Sequence, residues 1–456
     1  MTPHPNNIPS SGSTPWMQTS VNGWGQAATA TMEVVSPRNV SGLSSLTLRS
    51  GEATAPRAMI PRGLGRSYGD AAQLDGGTAV SLDRFQTMQW IDAGNGLLRV
   101  GAGVSIASLI DRFVPQGWFV PVTPGTRNVT VGGAIAADIH GKNHHRDGSW
   151  CEHVDEMVLM VASGDIVTAS RSENPGLFQA TSGGMGLTGV IIEATIRMSA
   201  IGSSTLLVET RRTQTLDELM DTMLASDDDH RFSVAWVDIM NRDCRGVLTL
   251  GDFAEAGTHP APGNLQARLP RVPTPNLIQR PFVKAFNEAW FRRAPAQPKV
   301  TCESITAFFH PLDMIANWNR IYGSAGFLQW QIALPDGTQD VLRSVTRQLH
   351  ASGVPSFLSV LKRFGPANPA PLSFPMAGWT LTVDVPAGSA ETNAMLDRLD
   401  LEVVDAGGRI YLAKDLRMQP ELLGRMYPRL DEWRRTREAW DPNRRFDSDL
   451  ARRLAL

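Results

Sequence analysis

From Leu46 to about Met198 short apolar runs alternate with glycine clusters, and the period of each run predicts its element. LLRVGAGVSIASLIDRFVPQGW reads as strand, turn and helix, with Ser105 placed to cap the helix start and Gly117 to close it. VDEMVLMVASGDIVTAS reads as two strands joined by the turn Ser163-Gly164-Asp165. LTGVIIEATIRMSA is a β-branched run and predicts another strand. This first part is α+β and rich in turns.

Beyond Ala200 the texture changes. TLLVETRRTQTLDELMDTMLAS predicts a strand and then a helix capped by Thr215, with Leu216, Leu219, Met220 and Met223 on one face. FSVAWVDIM, RGVLTLGDF, SITAFFH, GFLQWQIALP, PSFLSVLKRF and GWTLTVDVP read as strands, with helical text such as TQDVLRSVTRQLHASG between them. That alternation predicts an antiparallel sheet covered by helices on one face. Residues from about Ala254 to Pro298 are proline-rich and uneven, which predicts a long excursion or mobile lid. The tail from Pro420 is helical and then polar, and Arg434, Arg435 and Arg437 fit mostly a solvated helix face.

At 456 residues the chain is too long for one core. The expected boundaries are a disordered lead-in over 1–15, one domain over 16–200, a second over 201–425, and a C-terminal segment over 426–456 that returns to the first. Composition is that of an ordinary globular protein, 42% hydrophobic and 19% charged, and a net charge of −2 argues against a nucleic-acid partner. Cys151, Cys244 and Cys302 form no C-x-x-C pair, so neither a disulfide framework nor a thiolate zinc site is expected. The start lacks the basic-then-apolar order of a secretory signal, and no 18-residue apolar run occurs, so any membrane contact is expected to be peripheral.

Four glycine-bearing segments carry the candidate chemistry. In PRGLGRSYGD (61–70), Gly63, Gly65 and Gly69 allow consecutive amides to converge on an anion. The spacing is neither the dinucleotide G-x-G-x-x-G nor a G-K-[ST] phosphate loop, and a plain tight turn would explain the same glycines. In PVTPGTRNVTVGGAIAADIHGKNHH (121–145), the small residues Ala134 to Ala137 suit a wall for a flat ring system. TSGGMGLTGVIIEA leads into a strand, and GGRIYLAKD (407–415) reads as a strand that brings Tyr411 and Lys414 near a turn. His140, His144 and His145 could be metal ligands, but Gly141 and Asn143 disfavour the helix that would align them, so no metal is expected. His144 and His145 read as hydrogen-bonded loop residues, and Trp236, Trp330 and Trp379 as core. Gln329 and Gln331 flank Trp330 on one strand and share a face; with Lys362 they are candidate pocket donors for ribose or phosphate.

The order RGLGRSYGD, PGTRNVTVGGAIAADIHGKNHH, SGGMGLTGVI resembles the FAD-binding domain of the vanillyl-alcohol-oxidase family. HPLDMIANWNRIYGSAGFLQWQ, FGPANPAPLSFPMAGW, GGRIYLAKD and MYPRLDEW extend the likeness to members that oxidise a polyprenylphosphoryl ribose. The resemblance implies a two-domain α+β flavoprotein, with the 16–200 domain binding FAD and the 201–425 domain forming the substrate cap. It implies that Arg62, Gly63, Leu64, Gly65, Arg66, Ser67, Tyr68, Gly69 and Asp70 hold the pyrophosphate. Gly125, Thr126, Thr130, Val131, Gly132, Gly133, Ala137, Asp138, Ile139 and His140 would line the flavin and its phosphates, Ile191 the adenine side and Tyr411 the isoalloxazine. Many relatives carry a histidine joined covalently to flavin where this chain has Arg66, so FAD is expected to be non-covalent.

The implied activity is oxidation of the ribose 2-hydroxyl of a decaprenylphosphoryl ribose to the 2-keto sugar, the first half of an epimerisation that supplies arabinose to actinobacterial cell walls. A hydride acceptor and a base for the hydroxyl proton are needed. His140 and Lys414 are the candidates at the reacting centre, with Tyr68 nearby; which takes the proton stays open. A nicotinamide-dependent reductase as partner, a quinone or oxygen as electron acceptor, and a place peripheral to the plasma membrane (periplasmic in the family) are implied as well. Thr380 and Thr382, candidate substrate contacts, stand where family members carry an asparagine and a cysteine, and Phe309 stands where a tyrosine is common. The rival readings are an alditol or aldonolactone oxidase acting without lipid, and a non-enzymatic partner subunit.

Overall fold

The computed structural model describes residues 17–48, 58–259, 267–268 and 277–456. The expected lead-in over 1–15 and most of the first half of the expected lid lie outside them.

The first layer holds two sheets. Met17–Asn22, Thr29–Val35, Thr78–Ser81 and Met59–Arg62 form a four-stranded sheet in that spatial order, a hairpin followed by parallel pairs. Met88–Asp92, Leu97–Gly101, Val190–Arg197, Val154–Met160 and Ile166–Ser170 form an antiparallel five-stranded sheet. The turn at Gly164 has φ +92°, which glycine adopts without a Cβ penalty. Ser105 caps Ile106–Phe113 by accepting from Ser108 N at 3.0 Å, and Gly117 ends the short turn after it at φ +81°.

The second layer is one eight-stranded antiparallel sheet. Its spatial order is Lys299–Ser304, Thr205–Thr213, Gly246–Phe253, Phe232–Val237, Ser359–Phe364, Gly378–Pro386, Phe327–Pro335 and Arg409–Ile410. Helices Leu216–Ser226, Gln339–Ser352 and Ala390–Asp405 bury their apolar stripes on it; in the first, Thr215 accepts from Glu218 N at 3.1 Å, and Leu216, Leu219, Met220 and Met223 are all buried. The sheet's other face is left for the first layer.

Several expectations need correction. SITAFFH is not a strand: Ser304 ends the strand Lys299–Ser304 and caps a helix, Ile305–Phe309, by accepting from Ala307 N at 3.2 Å. Burial of Phe308 and Phe309 in an aromatic cluster overrides the β-propensity of that text. In GGRIYLAKD only Arg409–Ile410 is strand, and Tyr411 to Lys414 form the turn. The described part of the expected lid contains a fourteen-residue helix, Arg280–Arg293, with Pro281 in its first turn where a missing N–H costs nothing. Asn287 pins that helix by donating to Asp238 Oδ1 at 2.8 Å and Ser356 O at 3.2 Å. In the tail Arg437 is buried rather than solvated, donating to Leu456 O at 2.6 Å and to Phe446 O.

From Tyr411 onwards the chain packs back on the first layer. Tyr68 N donates to Ala413 O at 3.0 Å and Met59 N to Arg445 O at 2.8 Å. Arg453 bridges Asp70 at 3.0 Å and Asp415 at 2.8 Å. The glycine loop and the Lys414 turn are thereby held against each other at the junction of the layers.

Candidate active site

A cavity of about 1640 Å³ lies at that junction. One wall is mostly loop: Gly63 to Tyr68, Thr123 to Thr126, Ala136 and Ala137, Ile139 to Lys142, and Met185-Gly186. The opposite wall is the free face of the eight-stranded sheet, with Trp236, Gln329, Gln331, Lys362 and Thr382, and the turn supplies Tyr411 and Lys414.

Glycine is required in the first loop by close approach and by φ. A Cβ on Gly63 would sit 2.4 Å from Thr130 Oγ1, and Gly65 has φ +65°. Among the described residues, the amides of Leu64, Gly65, Arg66 and Ser67 donate to no protein acceptor, so four N–H groups stand free along the cavity wall. Leu64 is exposed and Gly65 to Ser67 are half-buried, so the four amides open into the cavity as a row that can cradle an anionic ligand. Arg66 adds a guanidinium, 4.1 Å from the Trp24 ring centroid. Ala136 and Ala137 line the wall as a flat ring would need, whereas Ala134 and Ile135 face the core.

Cross-strand register assembles the polar end. Gln329 is opposite Asp384, Gln331 opposite Thr382, and Thr382 opposite Val360, so the two glutamines and Asp384 share one face. Gln331 meets His140 Nε2 at 2.9 Å and Thr380 Oγ1 at 3.1 Å. Lys362 Nζ donates to His140 Nδ1 at 3.2 Å. Burial, and then the Lys362 charge, hold the His140 imidazole neutral, well below its ordinary value. Lys414 Nζ lies 3.9 Å from the Tyr68 ring centroid and donates to Gln329 Oε1, while Gln329 Nε2 donates to Asp384 Oδ1. Burial pushes the Lys414 ammonium down, opposed by Asp384 and reinforced by Lys362; burial pushes Asp384 up. Burial also lowers Lys362 to about 8 and Lys142 to about 7. Lys142 Nζ sits 4.0 Å from the Phe308 ring centroid and donates to Phe308 O. The result is a neutral imidazole among three buried amines that shed protons easily.

The structure brings together most residues singled out from sequence: Gly63 to Tyr68, Gly125, Thr126, Thr130, Gly133, Ala137, Ile139, His140, Gln329, Gln331, Lys362, Thr382, Tyr411 and Lys414 all line the cavity. Others hold its walls from behind. Arg62 turns away to Ala72 O at 2.6 Å and Asn22 O at 2.7 Å. Gly69 is pressed on Asp415 O, where a Cβ would come within 1.8 Å, and Asp70 pairs with Arg453. Val131 is core, Gly132 packs on Ala102, and Ile191 is buried in the five-stranded sheet opposite Leu159. Asp138 is fully buried and accepts from Ser149 Oγ at 3.0 Å and Cys151 N at 2.9 Å. Thr380 lies beneath Gln331. Trp330 and Trp379 are core, whereas Trp236 lines the cavity and donates to Phe357 O at 2.9 Å. His144 and His145 begin a one-turn helix, His144–Asp147, and are hydrogen-bonded to Gly365 N at 3.1 Å and His230 O at 3.0 Å. Lys142 and Asp384 were missed. Lys142 lay inside the HGKNHH text, and Asp384 continues the alternation Thr380, Thr382 along its strand.

Comparison with known proteins fits this site. Residues 34–170 match the family model described as an FAD binding domain. The chain is 39% identical over 451 residues to a decaprenylphosphoryl-β-D-ribose oxidase of Mycolicibacterium smegmatis, covering 95% of this chain and 97% of that one. The chain belongs to the vanillyl-alcohol-oxidase family. It is an FAD-dependent oxidoreductase of two-domain α+β architecture. An uncharacterised protein of Streptomyces coelicolor, from the region 5′ of mprA, is 38% identical over 77% of this chain and all of its own length. A putative D-arabinono-1,4-lactone oxidase of Neurospora crassa is 26% identical over 38% of this chain and 31% of its own. The free amide row, the open space beside Gly125 (where a Cβ would meet nothing within 4 Å) and the small-residue wall suit the cofactor of this family.

Proposed function

We propose that the chain oxidises the 2-hydroxyl of decaprenylphosphoryl-β-D-ribose to the 2-keto sugar. The observation that supports this most is the buried amine of Lys414, aimed by Gln329 into a cavity whose other wall is the amide cradle. The likeness to the Mycolicibacterium oxidase extends along nearly the whole chain, cap included, and so supports the same substrate class.

The amides of Leu64 to Ser67, with Arg66, Thr126 and Thr130, would hold the FAD phosphates, while Ala137, Ile139 and Tyr411 would bound its ring. With Arg66 in the position that is histidine in covalent relatives, FAD is held without a covalent bond. When bound, FAD takes up the hydride that leaves the sugar carbon. Lys414 takes the hydroxyl proton: desolvation favours its neutral amine, and Gln329 fixes the direction of Nζ. His140 is the weaker candidate, because both its ring nitrogens are already engaged, by Lys362 and Gln331. His140 instead positions Lys362. Burial disfavours the ammonium forms of Lys362 and Lys142, and the phosphodiester that carries the lipid would restore their charge by pairing with them, while Tyr68 faces Lys414 with its ring. The ketone would pass to a nicotinamide-dependent reductase, and the electrons to a quinone or oxygen, at the periplasmic side of the plasma membrane.

Mass analysis of the sugar after incubation with a polyprenylphosphoryl ribose tests the reading. The expected product has lost two hydrogens and carries a ketone at C2. Turnover of xylitol or gulonolactone, with none of the prenylphosphoryl sugar, would sink it.

A further inference from the structure

Arg280–Arg293 turns an apolar stripe outwards at the rim of the cavity. Phe282, Phe286 and Trp290 recur at every fourth position and are 70%, 47% and 42% exposed, far more than large aromatics on a covered helix face. The rings of Phe286 and Trp290 stack at 6.2 Å. Leu277, Met314 and Ile315 are exposed at the same rim. The helix that carries the stripe is firmly seated. Val283, Asn287 and Phe291 are buried, and the Arg245 guanidinium lies 4.3 Å from the Phe291 ring centroid while pairing with Asp238 and Glu288. Three aromatics held in water on a fixed helix, with three more large apolar side chains beside them at the rim, mark a surface that something covers.

Charge decides what covers it. The helix carries Arg280, Lys284, Arg292 and Arg293 against one acid, Glu288, which Arg245 and Arg292 already engage. Of these, Arg293 lies at the cavity rim, where Lys299 adds a further positive charge. A second copy docked on the same face would set two cationic helices against each other. An anionic bilayer would satisfy both halves of the helix, with its headgroups meeting the cations and its acyl boundary the aromatic stripe.

We propose that Arg280–Arg293 docks the protein on an anionic lipid surface, with Phe282, Phe286 and Trp290 sunk among the headgroups and the cavity mouth facing the bilayer. This deepens the polyprenyl-phosphate reading, and rests on it only for why the mouth should face lipid.

Co-sedimentation of the FAD-loaded full chain with vesicles tests it. Vesicles of phosphatidylcholine mixed with phosphatidylglycerol should carry the protein down, and vesicles of phosphatidylcholine alone should carry far less. Combining Phe282→Ser, Phe286→Ser and Trp290→Ser should weaken binding by about tenfold or more, with circular dichroism and flavin absorbance reporting that the variant folds. Combining Lys284→Gln with Arg292→Gln, which keeps the aromatics, should reduce binding to anionic vesicles and flatten its salt dependence. Binding that survives both variants, absence of binding to either vesicle, or a dimer that the serine variant dissolves would overturn the proposal. Oxidation of a short-chain, water-soluble prenylphosphoryl ribose reports on the substrate reading separately: turnover without vesicle binding sinks only the docking helix, and vesicle binding without turnover sinks only the substrate.

Discussion

Lys414 shows how position makes an ordinary side chain reactive. Burial removes the water that stabilises its ammonium, while Asp384, acting through Gln329, partly restores the charged form. Because the folded pKa lies below the ordinary lysine value and the base must be neutral, kcat/KM should rise with pH through that lowered pKa and level off above it. In Lys414→Gln the rising limb should vanish, and flavin reduction should slow by about 10²- to 10⁴-fold with the flavin still bound. Asp384→Asn removes the charge that holds the lysine pKa up, so the limb should move to lower pH, with kcat affected more than KM. Stopped-flow flavin bleaching across pH reads both, and a slower rate with an unmoved limb would reduce Asp384 to a packing residue. Residues of this kind were half legible in the sequence. Lys414 and His140 stood out through the family's motifs, but Asp384 gains its meaning only from the register that places it opposite Gln329. No thiol lines the cavity among the described residues, and Thr382 stands on its sheet wall.

At the scale of elements, the short C-terminal helix Asp449–Leu454 does more than close the chain. Its Arg453 joins Asp70, at the end of the glycine loop, to Asp415, next to Lys414. Both carboxylates are buried, so Arg453→Met would strand two charges and should cost about 3 kcal/mol of stability. Urea unfolding of the FAD-loaded protein measures that loss, and adding Asp70→Asn should return part of it by removing one stranded charge. An unchanged midpoint would show that the bridge does not hold the loops. The bridge could not have been read from the sequence, because nothing local in DSDLARRL names a partner some 380 residues away. Period and capping rules did place Leu97–Gly101, Val154–Met160, Ile166–Ser170 and Val190–Arg197, most strands of the second layer and the Thr215 helix, but not the four-stranded sheet that carries the glycine loop. They failed where packing overrides propensity, at Ile305–Phe309, and where proline in a first turn resembled disorder, at Arg280–Arg293.

For the whole molecule, function is a matter of two layers meeting. The first supplies free amides and small residues from glycine loops, the second a polar sheet face, and the returning tail sets the lysine turn between them. Neither layer alone encloses the cavity. Its volume of about 1640 Å³ has room for a dinucleotide and a sugar side by side, and the aromatic rim leaves an outlet for a tail. The central claim is that flavin and a prenylphosphoryl sugar share this space. Anaerobic titration of the purified protein, followed by its visible absorbance, tests that claim most directly. The native protein should be yellow, should bleach on adding a polyprenylphosphoryl ribose, and should release intact FAD on acid precipitation. A protein that stays colourless after FAD is supplied, or a bound flavin that this sugar leaves oxidised, would contradict the account.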